Sequence, residues 1–332
     1  MPYSNEPHLP LDGDGSRRRR FRLFDSQREG RGVSKDDAKI TPDLSGFFRS
    51  FWRNLPKLLS VNLLTLVGNF PLLFAIITFS GVAQVKYMTP ISSLFADLHT
   101  LIVVSEGYDP ALMAAYGVLG PHIENLAMTP LAYILLGLSA LTFFTFGFTK
   151  VGTTYILRSL IRGEPAFMVS DFKYAIKRNW RQALPVGILD LVAMILFPVN
   201  VLLLLQMDGG FFISVLLWLN VLFYLLFLFM RPYIYLQLIT FDLKISKLLK
   251  NSLIFALLGF KRNLLAIIGL LLLILFALLF IFGFGGALLP IGLAVPMVLL
   301  FSGGSYMGDF AAWFKIEQIM IAPQENEDED AA

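Results

Sequence analysis

Apolar runs of about twenty residues, long enough to cross a hydrocarbon core of roughly 30 Å as helix, follow one another along most of this chain. They fall at residues 58–80, 130–149, 184–205, 211–230, 264–284 and 288–311. Each run is apolar on every face, without the period-2 alternation of a lipid-facing barrel strand. The pattern predicts an all-α, polytopic transmembrane helical bundle of six spans. Turn residues follow the third and fifth runs, Met207-Asp208-Gly209-Gly210 and Gly283 with Gly285-Gly286. The spans therefore read as three hairpins, 1–2, 3–4 and 5–6.

The polar segments are not alike. A basic, aromatic, helix-compatible stretch precedes each hairpin. The fullest copy is Asp171-Phe172-Lys173-Tyr174-Ala175-Ile176-Lys177-Arg178-Asn179-Trp180-Arg181-Gln182-Ala183-Leu184. Shorter copies are Phe48-Arg49 with Arg53-Asn54-Leu55-Pro56-Lys57, and Phe260-Lys261-Arg262-Asn263-Leu264. An Arg-Asn pair just before an apolar run recurs in all three, which suggests a threefold internal duplication. The segments 44–59 and 241–263 read as amphipathic cytosolic helices, with aromatic rings at headgroup level and basic groups in water. Residues 81–128 form a long outer loop, within which 91–104 could make a short surface helix.

Breakers refine this picture. Pro71 should bend the first span after Asn69-Phe70, because proline has no N–H to donate. The second span is expected to leave the hydrocarbon at Lys150, continue as helix to Arg162 and stop at Gly163-Glu164-Pro165. In the fourth span Arg231-Pro232 marks the equivalent inner end.

Charge then sets orientation. Of 27 Lys and Arg, all but Lys86 lie on one side of the six predicted crossings. The positive-inside rule places that side, with both termini, in the cytosol of a cell membrane. Residues 1–45, with Arg17-Arg18-Arg19-Arg20, read as a disordered basic cytosolic tail, 46–315 as the membrane domain and 316–332 as an acidic cytosolic tail. No short apolar core with a small-residue cleavage site stands in the first 45 residues, so no cleaved leader is expected. Composition agrees: charged residues make up 15% and hydrophobic residues 56%, against about 25% charged in a soluble domain. With no cysteine, disulfide scaffolds, thiolate metal sites and cysteine nucleophiles are excluded.

Few residues offer chemistry. Asp190 lies about seven residues into the third span, where a charge is costly and is by default a candidate for function. It could serve a proton- or cation-linked site, pair with a basic residue in the bundle, or simply bond a neighbouring helix. Asn62 and Asn69 in the first span, with Asn200 and Asn220, could bond across helices. Arg53, Arg158, Arg162, Arg178, Asn179, Trp180, Arg181 and Arg262 form a candidate cytosolic interface, either for anionic lipid headgroups or for a protein. His8, His99 and His122 lack metal-ligand spacing, and neither a phosphate-binding Gly-Lys-Ser/Thr loop nor a Ser-His-Asp set is present. No catalytic residue, cofactor or metal is expected, and no nucleic-acid partner.

The stretch Arg158-Ser159-Leu160-Ile161-Arg162-Gly163-Glu164-Pro165, followed by Asp171-Phe172 and Asn179-Trp180-Arg181-Gln182-Ala183-Leu184, resembles the signature region of the YesL-like bacterial integral membrane proteins. Phe241-Asp242-Leu243 and Leu248-Leu249-Lys250-Asn251-Ser252 resemble that family's second cytosolic segment, and the whole likeness covers about residues 44–285. The resemblance brings a domain of unknown function without catalytic residues. It implies a non-enzymatic accessory role beside carbohydrate ABC importers, with ABC transporter subunits as partners. The chain is not itself an ordinary permease subunit, because 171–186 lacks the Glu-Ala-Ala and spaced glycine of the coupling loop. A stand-alone transporter or channel with a polar path near Asp190 is the alternative. The family's Gly-Pro in the second span is replaced here by Gly147-Phe148-Thr149-Lys150-Val151-Gly152.

Overall fold

A computed structural model describes residues 40–90, 122–207, 209–284 and 289–322. The arginine-rich tail, the surface helix expected at 91–104, the Gly285-Gly286 turn and the end of the acidic tail lie outside these residues.

The described chain is helical except for one ribbon. Helix α1 spans Leu44–Gly68 and α2 spans Leu72–Phe79. Asp43 starts α1 by accepting the Gly46 N–H at 3.1 Å, which satisfies an otherwise orphaned amide. The amphipathic segment and the first apolar run are one continuous helix, not two. That helix ends where expected: Asn69 closes it by donating backbone and side-chain N–H to the Thr65 carbonyl, and α2 departs at 70° beyond Pro71.

The base of the outer loop is a two-stranded antiparallel ribbon, β1 Gln84–Pro90 with β2 His122–Met128, where the sequence pattern predicts only a connection. Two strands alone are marginal. Here Thr129 ties the base by donating to the Ala83 carbonyl at 2.7 Å. The same hydroxyl accepts the Ala132 N–H and so caps helix α3, Pro130–Ser139, which packs on α2.

Helix α4, Thr142–Ile161, follows a tight break in which the Ala140 and Leu141 amides reach back only three residues. Gly163, at φ 73°, turns the chain at its end. Helix α5, Met168–Leu205, is 38 residues long, about 57 Å at 1.5 Å per residue. It joins the fullest basic-aromatic stretch to an apolar run without interruption. Helix α6 is Gly210–Thr240, α7 is Ile245–Leu258, α8 is Phe260–Gly283 and α9 is Leu289–Ile316, which passes into a single π-helical turn, Glu317–Ile321.

Among the described residues, four helical segments are long and apolar enough to cross a membrane: the α3–α4 pair, α5, α6 and α8. A fifth arises if bent α1–α2 counts as one span. Their surfaces explain the solvent they need. In the most apolar stretch of α6, 0% is buried inside the protein, and in that of α8 only 6%. Side chains such as Trp218, Phe223 and Leu272 therefore face outward. Water would expel that surface, whereas lipid accepts it.

The close-packed core lies at the other end. The C-terminal halves of α4, α6 and α9 pack on one another as an inner triangle. Leu157, Leu160, Leu236, Leu238, Tyr306, Trp313 and Ile316 are fully buried there. Each remaining side is covered from outside: α1 lies against α9 and α4, α5 against α4 and α6, and α7 with α8 against α6 and α9.

Candidate functional site

Four ionisable side chains meet where the tight core gives way to the apolar half. Asp190 of α5 is 2% exposed. Arg231 of α6 grips it with a forked pair of bonds, Nε to Oδ1 at 2.6 Å and Nη2 to Oδ2 at 3.0 Å. One turn on, the Tyr235 hydroxyl donates to Oδ2 at 2.8 Å. Residues 231 and 235 share a face of α6, so both reach one carboxylate across a single helix contact. A charge-assisted fork of this kind is the strongest arrangement open to a buried carboxylate.

The second pair is not closed in the same way. Lys150 of α4 donates its ammonium to Ser305 of α9 at 2.9 Å. Asp309 sits one turn beyond Ser305 on the same face of α9, is 4% exposed, and its Oδ2 has no hydrogen-bond partner among the described residues. It lies in electrostatic range of Lys150 and Arg231, and Lys150 in range of Asp190. Two acids and two bases from α4, α5, α6 and α9 thus balance one another inside the bundle, with one ion pair formed and the other held apart.

Of the predicted residues, Asp190 has the basic partner the sequence allowed for. Lys150 and Arg231, expected at the inner rim of the membrane, turn between helices, Arg231 onto Asp190 and Lys150 onto Ser305. Tyr235, Ser305 and Asp309 escape sequence reasoning. For Asp309 a signal exists, a lone acid in the apolar run Gly308-Asp309-Phe310-Ala311-Ala312-Trp313.

The two asparagines lie elsewhere. Asn62 accepts the Ser302 backbone N–H at 2.9 Å and joins α1 to α9. Asn69 sits at the α1–α2 bend with its Oδ1 unpartnered among the described residues. Neither touches Asp190. Asn220 donates to the Phe197 carbonyl in the helix turn that holds Pro198.

The residues expected at a cytosolic interface separate into groups. Arg158 and Arg162 stack on Tyr155 and Trp313 at the end of α4, and Arg178 of α5 lies within electrostatic range of Arg158. Arg181 lies 5.5 Å from the ring of exposed Trp180 on α5. Asn179 bonds the Ala175 carbonyl of its own helix. Arg53 belongs to the side where Ser50 and Tyr306 bond at 2.6 Å, and Arg262 to the side where Tyr233 donates to Asn263 at 3.0 Å. A tyrosine of the inner triangle therefore meets each Arg-Asn copy on α1 and α8. On α5 the corresponding contact is ring to ring, Tyr155 with Tyr174 at 5.8 Å.

Comparisons with protein-family models, with curated proteins and with solved structures find no match. The likeness to YesL-like proteins rests on the sequence pattern alone. Among the described residues no group of three His, Asp or Glu could hold a metal ion.

Proposed function

We propose that the chain is a six-span protein of the cell membrane with both termini in the cytosol, and that it serves as a non-enzymatic accessory to a carbohydrate ABC import system. The observation that carries this reading is α5. Its first half is a basic, aromatic face in which Lys173, Lys177, Arg178, Trp180 and Arg181 are exposed, and its second half is apolar. One rod thus joins a surface suited to docking with an anchor fixed by the Asp190–Arg231 fork. The side chains that fill the inner triangle also suit a scaffold better than a conduit. The partner class comes from the YesL-like resemblance. Affinity purification from the native host in mild detergent should recover permease or ATPase subunits, and Trp180→Ala with Arg181→Glu should lose them. Consistent purification of the wild-type chain alone would remove this reading.

A second reading draws on Asp309 and its unpartnered oxygen beside Lys150. A stand-alone transporter could move a solute or cation past such a network. Reconstituted protein would then show flux, slowed by Asp190→Asn or Asp309→Asn. Equal flux in both variants would exclude the network from any transport step.

A further inference from the structure

We infer that the cytosolic end of α4 holds a binding site for the phosphate of an anionic phospholipid, built by Arg158, Arg162 and Arg178. Charge is out of balance there. Arg158 lies within electrostatic range of both other arginines, yet Glu164 is the one carboxylate among the described residues that reaches it. Glu164 itself is spent on Arg162, at 3.0 Å. Arg162 and Arg178 both repel the Arg158 guanidinium, and an added anion would relieve that repulsion.

The geometry of Arg158 says where the anion goes. Its Nη1 donates to Thr240 Oγ1 at 3.1 Å, which pins the group to the end of α6. Its Nε is shielded from solvent and has no acceptor among the described residues. A buried N–H without a partner calls for an explanation, and the Nε side of a guanidinium is one edge that grips phosphate oxygens in pairs. The floor of the site is aromatic. The Arg158 guanidinium lies 4.8 Å from the Tyr155 ring, and that of Arg162 lies 5.5 Å from the Trp313 ring. Tyr174 abuts Tyr155 and accepts from Arg178 Nη1 at 3.1 Å, which steers that arginine toward the same corner. Ring faces hold the cations in place without consuming their donors.

The surroundings select a lipid over a soluble anion. The site lies at the inner end of a membrane-crossing helix. Beside it, on the approach to and first turns of α5, Phe167 and Val169 are 70% and 55% exposed. Apolar side chains exposed next to a cationic pocket match a molecule with acyl chains below its phosphate. The site needs only this membrane setting, so it holds or fails independently of any ABC partner.

Native mass spectrometry of the purified full chain, exchanged into detergent with equal phosphatidylglycerol and phosphatidylcholine, tests the inference. The wild type should retain phosphatidylglycerol. Arg158→Gln should lower that retention about tenfold, and Arg158→Lys, which keeps the charge but loses the fork, should lower it nearly as far. Lys247→Gln with Lys250→Gln removes two charges from the cytosolic helix α7 and should change nothing. Equal loss in that pair would mean general surface charge, and full retention in Arg158→Gln would empty the site; either overturns the inference. If inorganic phosphate alone raises the melting temperature as much as phosphatidylglycerol does, and only when Arg158 is present, the ligand is free phosphate and the lipid assignment falls. Each variant is compared at matched elution on size exclusion, and Arg158→Lys decides between these outcomes if Arg158→Gln does not fold.

Discussion

At Asp190 the energetics are asymmetric. Forming a buried ion pair gains little over an apolar pair of equal size, but removing one partner leaves a bare charge in a dry site. Arg231→Met should therefore cost about 3–5 kcal/mol, read as a lower midpoint of unfolding in detergent. Asp190→Leu combined with Arg231→Met should recover most of that loss. If the double variant is as unstable as the single one, the fork is not what holds α5 to α6. Asp43, at the start of α1, is the opposite case, a carboxylate on the surface. The Thr41 and Ser45 hydroxyls and the Gly46 amide hold it down at about 2, below its ordinary 3.8. Because the folded value is the lower one, the cap's contribution is complete above about pH 4 and fades as pH falls toward 2. The Gly46 amide resonance should titrate with a midpoint near 2 and not near 3.8. In Asp43→Ala that titration should vanish.

Between elements, glycine decides how closely two helices approach. A Cβ on Gly147 of α4 would strike the Ala183 carbonyl oxygen, and one on Gly187 of α5 would strike the Gly147 backbone. The backbones meet there, and neither side can retreat as a flexible side chain could. Gly187→Ala should separate α4 from α5 and cost about 1–3 kcal/mol, the usual range for an overpacked core. Gly137 of α3 has open space where its Cβ would be, so Gly137→Ala should instead stabilise by about 0.5–1 kcal/mol through helix propensity and chain entropy. Opposite signs in one thermal series would check both contacts. The elements themselves are largely legible in the sequence. The continuation of α4 to Ile161 and the bend at Pro71 follow from local rules about apolar runs and breakers. The ribbon at residues 84–90 and 122–128 is not legible, since its two strands are 31 residues apart and the pairing is set by Thr129 and by α2 on α3. The site is legible by half. Asp190 stands out as an acid in an apolar run, but the turning of Lys150 and Arg231 inward depends on which helix faces which. Nothing in a linear pattern encodes that.

At the scale of the whole molecule, packing bears on the path of the chain through the bilayer. The inner triangle of α4, α6 and α9 brings three apolar helices together at their C-terminal ends, just where the basic residues lie. Under the proposed topology these three helices cross in one sense, and the intervening covers α5 and α8 cross in the reverse sense. The proposed six crossings take bent α1–α2 as the first and add α9 to the four helical segments that are long and apolar enough to cross. On that proposal both ends of the described chain lie on one side. The ribbon, which carries Lys86 near its base, then lies on the other. The chain has no cysteine, so single cysteines can be placed without background. Arg178→Cys in α5 and Lys250→Cys in α7 are exposed positions at the basic end. In intact cells both should resist a membrane-impermeant maleimide and react only after permeabilisation, whereas Lys86→Cys should react at once. Labelling of Arg178→Cys and Lys86→Cys from the same side would break the even count, and with it the sorting of lysine and arginine across the membrane.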